Sequence, residues 1–115
     1  MTTIPTDDLY PADPPPETAE EVMAEAYLVS PEGYVLRRVR DREDTFSLTS
    51  PGGMTLIVTG EEDSFGDLIG FDWTERERDR DGSTHLVDQG FIEDPEEAVA
   101  LAQRWVALTN EAKES

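Results

Sequence analysis

The chain has 115 residues, 27 of them acidic and nine basic, for a formal net charge of −18. That length holds one domain with a modest core, and the charge argues against bare nucleic acid or an anionic membrane as partner, since both call for clustered cations. There is no cysteine, so disulfides and thiolate chemistry are excluded.

No apolar run approaches the ~20 residues a spanning helix needs, and the N-terminal segment lacks the basic and apolar regions of a secretory leader. The expectation is a soluble cytoplasmic protein. A hydrophobic fraction of 37%, with two Trp, three Tyr and four Phe, points to a folded domain rather than a disordered chain.

Residues 1–16 read as a disordered, acidic, proline-rich tail, and 17–115 as a single α+β domain. Pro5, Pro11 and Pro14 to Pro16 interrupt any helix or ladder there. A short helix comes next, with Thr18 as its cap, Glu21 three residues on, and Val22 and Ala26 on one face beside Met23 and Tyr27. The next segment, Ala26 to Ser30, is either a first strand or the end of that helix. Pro31 to Gly33 is a turn.

"YVLRRVR" is a strand in which Val35 and Val39 share one face and Arg38 and Arg40 the other, beside Leu36. "TFSLTS" alternates, with Phe46 and Leu48 inward and Thr45, Ser47 and Thr49 outward. Pro51 to Gly53 turns the chain into "MTLIVTG", which ends at Gly60, and "EEDSFGD" is an acidic loop.

The stretch from Leu68 to Asp94 reads as a long hairpin turning at Asp81-Gly82. A three-residue loop at Asp81 to Ser83 would set Trp73 opposite Phe91 and Arg76 opposite Asp88. A two-residue turn would set Glu75 against Asp88, so the odd-length loop is expected. Gly90 inside the return strand calls for a bulge or an aromatic ring packed over it. The last element is a helix with Asp94 as N-cap, Pro95 at its first position and Glu97 three residues after the cap. Its apolar stripe is Ala98, Leu101, Ala102, Trp105 and Leu108, with Trp105 anchoring it to the sheet. The predicted fold is α+β: a short N-terminal helix, an antiparallel meander sheet of five or six strands, and a C-terminal helix packed on the sheet.

No catalytic signature is present. Ser83, His85 and Asp88 do not share a strand face and make no triad. His85 reads as a solvated or cross-strand histidine. Arg37, Arg38, Arg40 and Arg42 form a basic patch near Tyr34, but Asp41, Glu43 and Asp44 offset it, and ion pairing within the chain is its expected role. Glu77 to Asp88 resembles a twelve-residue EF-hand loop in spacing, with Glu77, Asp79, Asp81, Gly82, Ser83 and Asp88 at the ligand and turn places. Glu stands for the usual first Asp, Asp for the terminal Glu, Thr84 for an apolar residue, and both flanks are strands.

Alternation from Ile69 places Ile69, Phe71, Trp73, Glu75, Glu77 and Asp79 on one face, and Asp72, Thr74, Arg76, Arg78 and Arg80 on the other. An apolar face thus becomes acidic toward the hairpin tip. The function expected from these features is non-enzymatic binding of a basic protein partner, as an inhibitor, immunity-type protein, adaptor or chaperone-like factor. A nucleic-acid mimic would be a special case. The expected contact residues are Glu61, Glu62, Asp63, Glu75, Glu77, Asp79 and Asp81, with no cofactor or metal. The alternatives are a calcium-binding module using Glu77 to Asp88, and a small enzyme with an unrecognised carboxylate site.

Overall fold

Hairpins between sequence neighbours build the whole sheet. A computed structural model describes residues 18–42 and 44–114; the acidic tail expected over residues 1–16 lies outside them. In chain order the elements are α1 (Ala19–Leu28), β1 (Val35–Arg38), β2 (Thr45–Thr49), β3 (Met54–Glu62), β4 (Leu68–Arg78), β5 (Thr84–Ile92) and α2 (Pro95–Glu114). The five strands lie side by side in the order β1-β2-β3-β4-β5, each antiparallel to the next. This is the predicted α+β meander, with five strands because α1 runs through to Leu28.

Thr18 caps α1, its hydroxyl accepting from the Glu21 N–H at 3.2 Å. A second anchor comes from across the chain. The Ala19 N–H donates to both carboxylate oxygens of Asp44, at 2.9 and 3.0 Å. Asp44 itself has a positive φ of 44°, and its carbonyl accepts from the Gly60 N–H at 2.9 Å. A Cβ at Gly60 would collide with the Asp44 carboxylate and displace it. One aspartate therefore ties the positive end of α1 to β2 and β3.

Both helices cover one face of the sheet. Ala19, Val22, Met23 and Ala26 of α1 meet Leu48, Leu56, Val58 and Phe71 of the strands and Ala98, Ala102, Trp105 and Val106 of α2. Trp105 packs edge-on against Tyr34, with ring centroids 6.1 Å apart. The Tyr34 hydroxyl lies 2.6 Å from that of Thr109 and donates to the Val106 carbonyl at 3.2 Å. Tyr34, read in the sequence only as a neighbour of the arginines, is thus part of the core.

The stripe of α2 departs from expectation at its end, where Val106 and Thr109 are buried and Leu108 is 57% exposed. At 3.6 residues per turn, Ala98, Ala102, Trp105 and Thr109 stay aligned while Leu108 drifts about 80° from Ala98. Asp94 caps this helix through the Glu96 N–H at 3.0 Å, as its sequence suggests.

Two bulges shift the strand phases. Opposite Glu61 and Glu62, β4 has an extra residue at Ile69, which leaves Ile69 exposed and Phe71 in the core. Ile69 is therefore out of the inward row assigned to it. In β5 the extra residue is Val87. Below it Arg76 pairs with Leu86 and Glu77 with His85; above it Glu75 pairs with Asp88 and Trp73 with Gly90. The turn has the expected odd length but is centred one residue earlier, over Arg80, Asp81 and Gly82. The Asp79 N–H donates to the Ser83 carbonyl at 2.7 Å and the Gly82 N–H to the Asp79 carbonyl at 3.0 Å. Together the turn and the bulge create the Glu75 and Asp88 juxtaposition that pairing energetics alone argues against. The indole of Trp73 covers Gly90, its Nε1 2.8 Å from where a Cβ would stand, so this glycine sits under an aromatic ring.

Candidate functional site

Residues directly opposite in an antiparallel ladder point to the same face. Leu56 and Val58 face the helices, so their partners Glu75 and Trp73 do as well, followed by Glu77. On β5 the partners on that face are His85, Asp88 and Gly90. The helices cover the Phe71 end of this face. Toward the hairpin tip it is open, and there it carries Glu75, Glu77, Asp79 and Asp88 around His85.

His85 is held between two carboxylates from β4 and the turn. Its Nδ1 lies 2.8 Å from Asp79 Oδ1 and its Nε2 3.5 Å from Glu77 Oε1, and all three side chains are roughly half exposed. The histidine is cross-strand, as its position suggests. Asp79 also accepts from the Ser83 hydroxyl at 3.3 Å. Arg37, Arg38, Arg40 and Arg42 are exposed and make no ion pair within 4 Å among the described residues, though Arg42 lies near enough to Glu61 to act on its charge.

The seven acidic residues singled out in the sequence do not form one patch. Glu75, Glu77 and Asp79 share the helix-side face near the tip. Asp81 is turned into its own loop, where one oxygen accepts from the Ser83 N–H at 2.9 Å and the Ser83 hydroxyl at 2.7 Å. These bonds hold its carboxyl below the usual carboxylate range. Asp63 does the same in the β3–β4 loop, accepting from the Phe65 N–H at 2.8 Å and the Asp67 N–H at 3.0 Å.

Glu61 and Glu62 lie at the other end of β3. Seven strand positions from Met54, Glu61 is about 24 Å from the tip end of the ladder. Glu61 also faces the opposite side of the sheet, where it meets Asp72. Its pKa is raised, first by the hydrogen bond with Asp72, with smaller contributions from desolvation and from the charge of Asp72, while Arg42 opposes the shift. This pair borders an open hollow of about 700 Å³ with Arg42, Thr59 and Arg76.

The segment spaced like a calcium loop is used to make the hairpin. Asp81 is committed to Ser83, and Asp88 lies beyond the bulge opposite Glu75. Among the described residues no group of three or more carboxylate or imidazole side chains is arranged to hold a metal ion.

Sequence reasoning missed two features of this region. Asp88 joins the acidic face through the Val87 bulge, which no local signal announces. The outer strand β5 is exposed over nearly its whole length, with Leu86, Val87 and Phe91 each close to half exposed. Its run of β-forming residues was visible in the sequence, but its edge position was not. No helix among the described residues is long and apolar enough to cross a membrane. Comparison with protein-family models, curated proteins and solved structures gives no match to this chain.

Proposed function

We propose that this chain is a non-enzymatic binding module whose acidic hairpin face engages a basic protein partner. The observation that carries the reading is the open end of the helix-side face, where Glu75, Glu77 and Asp79 are joined by Asp88 with no arginine within ion-pair distance among the described residues. Carboxylates aligned at strand spacing on a rigid ladder present a fixed row of negative charge. Such a row draws cationic surfaces at low ionic strength and discriminates against acidic ones. The net charge of −18 adds a long-range field of the same sign. Glu61, Glu62 and Asp63, at the far end of β3, belong to that field rather than to the contact row.

The test compares wild type with Glu75→Gln/Glu77→Gln/Asp79→Asn, each used as bait at low and high salt. The reading predicts a partner with a basic surface, retained at low salt by the wild type, released at high salt and lost by the triple variant. Partners that bind the triple variant equally well would refute it.

A further inference from the structure

The outer strand β5 is a nine-residue edge with no strand on its outer side among the described residues, and seven of its residues are exposed. It carries no lysine, arginine or proline, the residues that commonly guard such edges, and Asp88 is its one carboxylate.

The direction of its backbone groups is set by the ladder. The Asp79 N–H bonds the Ser83 carbonyl, so Ser83 turns its polar groups inward and Thr84 turns them outward. Alternation, carried through the Val87 bulge, places Leu86, Gln89 and Phe91 outward as well. Two side chains agree with this. The Gln89 N–H donates to the Asp88 carboxylate at 2.8 Å, and the Thr84 carbonyl accepts from Arg76 at 3.3 Å. Side chains of the hairpin thus occupy positions a sixth strand would use.

We propose that β5 receives an extended segment of a partner protein as an added strand, and that this segment alternates cationic with apolar side chains. The inference rests on the acidic-face reading and specifies how the partner is held. Ladder geometry fixes the pattern. On the helix side an incoming strand runs past His85, Asp88 and Gly90, with Glu75 and Glu77 one strand further in. Lysine or arginine belongs there. At Gly90 there is no side chain to displace, and a cation meets the Trp73 indole. On the other side the strand runs past Leu86, Gln89 and Phe91, where apolar side chains cover two exposed apolar ones. A cation that takes the Asp88 carboxylate frees the Gln89 N–H for main-chain pairing.

A second copy is the competing occupant. Edge-to-edge pairing of two chains, each of net charge −18, would merge two acidic faces into one. Charge therefore selects a cationic segment over self-association.

The test uses a ten-residue peptide alternating Lys and Val, with a Glu/Val peptide as control. Binding is followed by Trp fluorescence, and amide exchange is followed residue by residue on the wild-type protein and on the Glu75→Gln/Glu77→Gln/Asp79→Asn variant. The expected result is binding of the Lys/Val peptide alone, with exchange at Gln89 and Phe91 slowed at least tenfold. Gln89→Pro, which deletes an outward N–H and leaves the β4 ladder intact, should weaken binding at least tenfold. If the peptide binds in a way lost only in the Glu75→Gln/Glu77→Gln/Asp79→Asn variant, while Gln89 and Phe91 exchange unchanged, strand addition is overturned and the acidic docking reading stands. If edge protection survives the triple variant, the cationic requirement is overturned. Absence of peptide binding overturns strand addition, while the acidic docking reading is decided by the capture experiment. Concentration-dependent dimerisation that protects Gln89 without peptide overturns the choice of occupant.

Discussion

Gly60→Ala and Asp44→Gly form a double-mutant cycle on the contact that ties α1 to the sheet. Asp44 places both carboxylate oxygens on the Ala19 N–H and closes the gap left by Gly60. Hydrogen bonds to a charged group contribute about 1.5–3 kcal/mol, in line with the roughly 0.5–2 kcal/mol of a helix cap. Replacing Asp44 with glycine removes the cap and relieves the left-handed backbone at φ 44°, so a loss of about 2 kcal/mol is expected. Gly60→Ala should cost about the same through a different route, because its methyl group evicts the Asp44 carboxylate. Once Asp44 is gone the methyl meets little, so the double variant should lose only slightly more than either single. That implies a coupling of about 1–2 kcal/mol. Urea unfolding followed by Trp fluorescence measures all four corners. Additive losses, to within about 0.5 kcal/mol, would refute the contact as the reason for Gly60.

The Glu61 and Asp72 pair gives a pH dependence of known sign. Because the Glu61 pKa is raised in the folded state, its proton favours folding below the ordinary value of 4.5, and that contribution is lost as pH rises through the folded value. Glu61→Gln should therefore be more stable than wild type at neutral pH, with the difference shrinking as the solution is acidified; a constant offset between neutral and acidic pH in chemical unfolding would exclude a raised Glu61 pKa. At Trp105 the indole Nε1 is buried without an acceptor among the described residues. Trp105→Phe should thus cost about 1 kcal/mol, against roughly 3–5 for Trp105→Ala. Equal losses in thermal unfolding would mean that the N–H has a partner that matters.

Much of the fold was legible from local chemistry. Thr18 and Asp94 mark both helix starts because a side-chain acceptor beside orphan amides is a local solution to a local need. The strands are readable from alternation and from turns at Pro51 to Gly53 and Asp81-Gly82. Their phase escaped. Ile69 and Val87 are ordinary β formers, and nothing about either announces a bulge. Each nevertheless rotates the strand beyond it, exposing Ile69 itself and setting Asp88 opposite Glu75. The shared face of the candidate site was legible where alternation held unbroken, from Trp73 through Glu75 to Glu77. Acidity alone does not place residues together: Glu61 lies at the far end of β3 and on the other face. Asp44 escaped for a further reason. Its role joins residues 25 apart in sequence, beyond the reach of any capping motif.

The simple strand order has a consequence for how the molecule comes into being. Every strand pairs with its predecessor, so the sheet can assemble hairpin by hairpin as the chain lengthens. Its inner face cannot be sealed in that order. Tyr34, near the start, packs on Trp105 and bonds to Thr109, and Ala98, Ala102 and Val106 complete the same layer. During synthesis, then, a nearly finished ladder carries α1 over its first strands, while the α2 side of the layer, formed by Ala98, Ala102, Trp105 and Val106, is still missing. That C-terminal helix acts as the lock of the fold, and a ribosome that stalls before it releases a sticky sheet rather than a smaller protein.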